Sequence, residues 1–507
     1  MSARAEYATG TWPTSDRLAR RAAWLRFGLA SGVMGIAGAF ASSVVLSEGS
    51  PYLVAPLFGL LAGIALLVWP RSGLYTLFAA ALLFEEWGIA GLNPITAQTH
   101  FFQNVSGYSA IPLRFSLADI LAILALLAWG LRRAVGANPP ARVGAVGWPV
   151  YAYCALFAVG LVTGIVRGGA WDLSAALAEL RGPLFLCITY FLTVNLVRDR
   201  GQVQIFMRLL VILTVVKAVE GLFNYVEMIN GPVWLEAVTA HEDVVFFDLA
   251  VVLAIGAFIL GLRGRLAYVL YATLPVIGAV ELLTQRRVAF IALAGGIAAI
   301  GALLAYVEPR RTAILFGAAS AALFLYGIIA WDQQGLLAQP IRAVRSAFDP
   351  TSLSARDLSS NWWRELENTN IAYTLKQLPL TGVGLGQQYF FLREPPELTN
   401  FIYWRYMTHD AVLWVWLKAG ILGFLAFWTW VAGTAIAGAR LFRALPTPDL
   451  KLIAAVPVVL VVIQVIFSSV DLGLTYSRSM IVLGVAVGLT AYLAQFVADM
   501  PARDRVA

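Results

Sequence analysis

The sequence predicts an all-α, polytopic integral membrane protein, and three observations carry that prediction. Hydrophobic residues make up 60% of the 507 and charged residues 13%, with a mean hydropathy of +0.77. A soluble globular chain is nearer half apolar and a quarter charged. Apolar runs of roughly 20 residues, the length a helix needs to cross the hydrocarbon, recur along the chain. The turns between runs alternate between arginine-rich and arginine-poor, as the charge bias of membrane loops demands. The composition also excludes intrinsic disorder, which needs low hydrophobicity and high net charge.

Residues 1–26 carry five arginines and read as a cytoplasmic tail ahead of a retained start-anchor helix. Residues 27–330 hold eleven apolar segments, near 27–47, 52–69, 72–88, 114–131, 147–166, 182–198, 204–225, 244–262, 266–283, 288–306 and 312–330. Residues 331–409 form one large polar loop. Three closing segments follow within 410–497, near 410–436, 452–470 and 478–497, and residues 498–507 are a second cytoplasmic tail. The total is about 14 spans, with 12–14 as the range. The weakest are 72–88, which ends in Glu85 and Glu86, and the tightly joined pair 266–283 and 288–306. All must be helices, because lipid offers backbone groups no partner.

With the N-terminus inside, the tails and the even-numbered turns hold 21 of the 36 basic residues, and every inner turn has at least one arginine. The net charge of +7 is then mostly a topology signal and not a nucleic-acid footprint. Cys154 and Cys187 both lie in apolar runs and support no disulfide framework.

The large loop follows eleven spans and so lies outside the cytoplasmic membrane. Within it, residues 362–377 read as a helix capped by Ser360 or Asn361 and stopped by Pro379. A turn-rich stretch follows, Thr381-Gly-Val-Gly-Leu-Gly386, with glycines on either side of positions 383 and 385 (Gly382, Gly384, Gly386). Aromatics are dense, including Trp362, Trp363, Tyr389, Phe390, Phe391, Tyr403, Trp404 and Tyr406. The loop is expected to pack as a lid on the outer face.

The informative charges are those on the wrong side. Short outer turns hold Arg114, Arg167, Arg181, Arg286, Arg287 and Arg478, and the lid adds Arg364 and Arg405 among others. Arg181 stands directly before a span, and Arg286 and Arg287 sit between two tightly joined ones. A guanidinium is a fixed charge whose fork of donors matches phosphate oxygens. The alternatives are snorkelling to lipid headgroups, or pairing with Glu179 and Glu281. Within the spans, Lys217 and Glu220 are three apart and positioned to pair. Lys418 has no local partner, which makes it a functional candidate. The three histidines, His100, His241 and His409, all fall outside and are too scattered to form a spaced metal site. His409 stands at the first turn of the span after the lid. A helix N-terminus disfavours imidazolium, so His409 is expected to be neutral and able to take a proton from a hydroxyl, with Asp410 or another carboxylate orienting it. The alternative is a histidine that merely caps a helix at the interface.

Taken together, these residues resemble the O-antigen ligase and polymerase superfamily of bacterial membrane glycosyltransferases. The layout is similar: many spans, one large external loop, a few closing spans. Arg364 followed by Leu378-Pro-Leu-Thr-Gly-Val-Gly-Leu-Gly386 is similar to the family's Arg, Pro-Leu-x-Gly-x-Gly, aromatic pattern. His409-Asp-Ala-Val-Leu413 with Gly420-Ile-Leu-Gly423 resembles the ligases' histidine and Gly-x-x-Gly signature. Asp410 and Lys418 depart from it, and fourteen spans exceed the ligase norm. The resemblance implies a GT-C-like fold in the bacterial inner membrane, with a periplasmic active site. It implies a donor glycan on undecaprenyl pyrophosphate, held by Arg181, Arg286, Arg287 and Arg364, and attacked by an acceptor hydroxyl that His409 deprotonates. Inversion, no metal and no cofactor are expected. The acceptor would be lipid A–core for a ligase. For a polymerase of O-antigen or exopolysaccharide it would be a second lipid-linked glycan, with a chain-length regulator as partner. A secondary transporter or flippase of lipid-linked sugars is the reading from another class; such proteins tend to show matched halves, and none are visible here.

Overall fold

The computed structural model describes residues 63–89, 91–104, 114–230, 237–333, 335–349, 355–398 and 401–501. The first expected span, 27–47, and most of the second, 52–69, lie outside these residues. The described residues are helical apart from turns and one isolated bridge between Asn104 and Ser116. In chain order the helices are α1 Pro70–Leu83, α2 Leu117–Ala134, α3 Gly147–Arg167, α4 Leu173–Leu196, α5 Arg200–Asn230, α6 Asp243–Ile259 and α7 Arg265–Leu283, then α8 Arg287–Val307, α9 Pro309–Ala330, α10 Gln339–Phe348, α11 Ala355–Gln377, α12 Ala411–Ala444, α13 Pro448–Ser468 and α14 Ser477–Asp499.

Eight of them, α3, α4, α7, α8, α9, α12, α13 and α14, are long and apolar enough to cross a membrane. The described residues are thus all-helical, consistent with an integral membrane protein. The other four described candidates fall on α1, α2, α5 and α6. These are either short, at 14 and 17 residues for α1 and α6, or interrupted by charge, as by Asp119, Arg132 and Arg133 in α2 and Lys217 and Glu220 in α5. By length and composition alone, the expected count of about 14 is therefore not reached among the described residues.

Two boundaries differ from expectation for identifiable reasons. α4 starts at Leu173, nine residues before the expected 182, because the Asp172 side chain accepts from the Ala175 N–H at 2.7 Å and caps it there. Arg181 consequently lies inside a helix and not in a turn. The lid helix α11 starts at Ala355 and runs through the expected caps. Ser360 instead accepts from Arg364 (2.8 Å) and Asn361 accepts from Arg287 (2.9 Å), so neither is turned back to cap a helix end. A short amphipathic helix, α10, precedes it and was not expected.

The described residues fall into two units. One comprises residues up to Thr76 with Ile120–Arg142; inside it, Arg132 donates to the Leu67 carbonyl at 3.1 Å. The other comprises Leu77–Asp119 and Val143 onward, and it contains everything that follows. Within it α4 and α14 pack closely. Gly484 and Gly488, four apart, lie against Thr189 and Thr193; a Cβ on Gly484 would stand 2.1 Å from the Thr189 hydroxyl. Small residues at this spacing let helix backbones approach where lipid supplies no hydrophobic drive.

Turn contacts in this unit sort into two sets. Arg200 pairs with Asp449, Arg443 donates to the Tyr306 hydroxyl (2.5 Å) and Arg311 to the Ile259 carbonyl (3.4 Å). These residues all lie at helix ends beside the turns with the inner charge pattern. Glu86 accepts from the Ser477 N–H (2.6 Å), Arg478 pairs with Glu242 (2.7 Å) and Asp243 (2.6 Å), and Arg286 meets His241. These belong to the outer set, on the same side as the lid.

Candidate active site

The site is built on α11. Arg364 and Glu367 are three apart, so they share one helix face. Glu367 is buried, and it accepts from the backbone N–H of His409 at 2.8 Å while its carboxylate lies 3.2 and 3.3 Å from His409 Nδ1. A carboxylate can only accept, so Nδ1 carries the proton and Nε2 is left with its lone pair. His409 retains 27% side-chain exposure. Burial pushes the imidazole pKa down, but the Glu367 hydrogen bond and charge, with help from Asp471, raise it above its ordinary 6.5; Arg364 opposes them. The helix-terminus effect that was expected to keep His409 neutral is thus outweighed by a carboxylate in contact. Asp410 does not orient the ring. It is the N-cap of α12, accepting from Leu413 N–H at 2.9 Å.

Arg364 also donates to the Val470 carbonyl at 3.1 Å. The next residue, Asp471, lies 3.4 Å from His241 Nδ1, and His241 Nε2 in turn meets Arg286. The structure therefore gathers His409, Glu367, Arg364, Asp471, His241 and Arg286 from five separate segments. Arg287 reaches the same lid helix from the α7–α8 turn, 3.3 Å from Asp357 and 2.9 Å from Asn361. Arg181 is held elsewhere in the outer set, 2.9 Å from Asp119 and from the Asn104 side chain. Neither expected pairing, Arg181 with Glu179 or the 286–287 arginines with Glu281, is seen among the described residues; neither Glu281 carboxylate oxygen has a hydrogen-bond partner there. Arg405 pairs with Glu394 (3.1 Å) and lies over the Trp404 ring (4.6 Å), which stacks on Phe391 at 9°.

The glycine turn is held by hydrogen bonds to distant helices. Gly382, Gly384 and Gly386 have φ of 60°, 89° and 73°, a region that only glycine adopts at little cost. Leu385 N–H donates to the Gly160 carbonyl (3.0 Å), Val383 N–H to the Leu417 carbonyl (2.7 Å), and Arg167 caps the Gly382 (2.9 Å) and Val383 (3.1 Å) carbonyls. The Val383 and Leu385 amides are thus spent inside the bundle. Gly420, at φ 70°, kinks α12 so that its backbone abuts Leu380 and Thr381. Lys418, expected to be unpartnered, is fully buried 2.8 Å from Glu179 and donates to the Gln387 carbonyl at 2.5 Å. Glu179 also accepts from Gly386 N–H at 2.6 Å. Lys418 therefore fastens the lid's root, and a function in the chemistry is not indicated by its surroundings.

Lys217 pairs with Glu220 at 2.7 Å as its spacing suggested, and also with Glu85. Arg478, one of the wrong-side arginines, is wholly buried against Glu242 and Asp243 behind the site. Among the described residues, no group of three or more His, Cys, Asp or Glu is placed to hold a metal ion.

Sequence reasoning missed Glu367 and Asp471 and set His241 aside. Glu367 had a readable signal, its i+3 spacing from Arg364. Asp471 is the single acid in the turn between two apolar helices. Nothing in the sequence ties His241 to either.

Residues 272–428, about a third of the chain, match the family model described as O-antigen ligase. The match supports the O-antigen ligase/polymerase superfamily and, in general terms, a membrane glycosyltransferase of that type. It spans Arg286, Arg287, Arg364, Glu367 and His409. His241, Arg181 and Asp471 lie outside it. No curated protein matches the chain.

Proposed function

We propose that the protein transfers a glycan from undecaprenyl pyrophosphate to an acceptor hydroxyl, as an O-antigen ligase does, with lipid A–core as acceptor. The observation that carries this reading is the His409–Glu367 pair set beside Arg364, inside the segment that matches the family.

His409 Nε2 takes the acceptor's proton as the new bond forms at the anomeric carbon and the bond to the pyrophosphate oxygen breaks. Glu367 holds the ring and stabilises the imidazolium that results. Arg364 and Arg286 face the pyrophosphate and neutralise the charge it gains on leaving. Arg287 and Arg181 are already engaged with carboxylates, so they contribute to the rim rather than to the clamp. A single displacement inverts the anomeric centre. The lid's aromatic rings and Arg405 offer flat faces to sugars. We read the charge alternation as a lid and site on the periplasmic side of the inner membrane. A polymerase would share this chemistry and differ only in its acceptor, a second lipid-linked glycan.

The test is transfer by purified protein with a lipid-linked donor. His409→Ala should abolish transfer in a protein that remains folded. Near-normal transfer would remove the base.

A further inference from the structure

The turn between α13 and α14 supports both arginines of the clamp. Its Val470 carbonyl accepts from Arg364 Nε at 3.1 Å. Its Asp471 is buried and fixed by the Tyr476 hydroxyl (2.9 Å) and by Leu472 N–H (2.7 Å). Asp471 lies 3.4 Å from His241 Nδ1, and His241 Nε2 meets the Arg286 guanidinium. A guanidinium has donors only, so the Nε2 that faces it presents a lone pair. Nδ1 then carries the hydrogen and donates it as a hydrogen bond toward Asp471, 3.4 Å away. Burial pushes the Asp471 carboxyl up, but the His241 hydrogen bond and the charges around it hold it well below the usual carboxylate range, a firm anion at the end of the chain.

We propose that Asp471 and His241 are positioning residues that hold Arg286 at a set separation from Arg364, so that the two guanidiniums seat both phosphates of a lipid pyrophosphate in preference to a lone phosphate. The inference rests on the pyrophosphate reading above and adds to it residues that lie outside the family match. A long arginine side chain samples many rotamers, and one anchored at its head keeps its spacing from a neighbour. Arg364 is anchored on the Val470 carbonyl and Arg286 through His241 on the Asp471 side chain, so both are tied to adjacent residues of one turn.

The full-length protein in detergent is titrated calorimetrically with inorganic pyrophosphate and, separately, inorganic phosphate. The wild type should prefer pyrophosphate. His241→Ala should weaken pyrophosphate about tenfold, the size typical of losing a partner that orients a ligating side chain, and change phosphate far less. His241→Gln should retain most of the affinity, because an amide can accept from Arg286 and donate to Asp471. Asp471→Asn, nearly isosteric, should show the same selective loss and serves if His241→Ala does not fold. Unchanged pyrophosphate affinity in His241→Ala, or equal losses for both anions, would overturn the positioning role. A wild type that does not prefer pyrophosphate would overturn the pyrophosphate reading itself, and the positioning role with it.

Discussion

Lys418→Met should destabilise the protein severely without touching the chemistry. Lys418 and Glu179 are both fully buried and 2.8 Å apart. Removing one partner of a buried pair strands the other charge, at a cost of about 3–5 kcal/mol. The Gln387 carbonyl also loses its donor at 2.5 Å, adding about 1 kcal/mol. That is a large part of the roughly 5–15 kcal/mol that holds a domain folded. The double variant Lys418→Met/Glu179→Gln has no stranded charge, and its amide oxygen can still accept from Gly386 N–H; it should recover most of the loss. The assay is heating of purified protein in detergent, followed by size-exclusion recovery of monodisperse material. The single variant should fail at markedly lower temperature and the double should lie close to wild type. A single variant as stable as wild type yet inactive would refute the reasoning, and would place Lys418 in the reaction after all.

Transfer by the wild type should rise with pH through a pKa above the ordinary 6.5 of histidine, because His409 must be neutral to accept a proton and Glu367 raises its pKa. In Glu367→Gln that limb should move to lower pH and the plateau should fall; a limb that stays in place would separate Glu367 from the base. Arg364→Ala should weaken the donor's apparent affinity about tenfold or more while leaving thermal stability nearly unchanged, measured as KM for the lipid-linked glycan; an unchanged KM would take Arg364 out of the clamp. Gly384→Ala should sharply lower the yield of folded protein, since φ is +89° and a Cβ would meet Gly164 N at 2.4 Å; Gly317→Ala on α9, with nothing within 4 Å, should not.

The helical fold was legible because hydrophobicity and arginine alternation are local properties of sequence, and each described span has a helix at or near its place. Element ends were less so. Asp172 as a cap and Ser360 as a side-chain acceptor are decided by what the side chains meet in space. His409 and Arg364 were legible from their motifs. The roles of Lys418 and the glycine turn were not, because their partners, Glu179, Gly160 and Arg167, lie some 200 residues away in sequence. An unpaired charge in an apolar run reads as a ligand site until its distant partner is found. The same distance hid Asp471 and His241, which complete the site from segments that no local pattern connects.

The central claim is tested most directly by offering purified wild type and His409→Ala a lipid-linked glycan, with and without lipid A–core. The account predicts glycan on lipid A–core in the wild type, none with His409→Ala, and no requirement for any other protein. Products in which lipid-linked chains lengthen on one another would instead identify a polymerase with the same chemistry. Undiminished transfer by His409→Ala, or no transfer by a folded wild type to either acceptor, would contradict it.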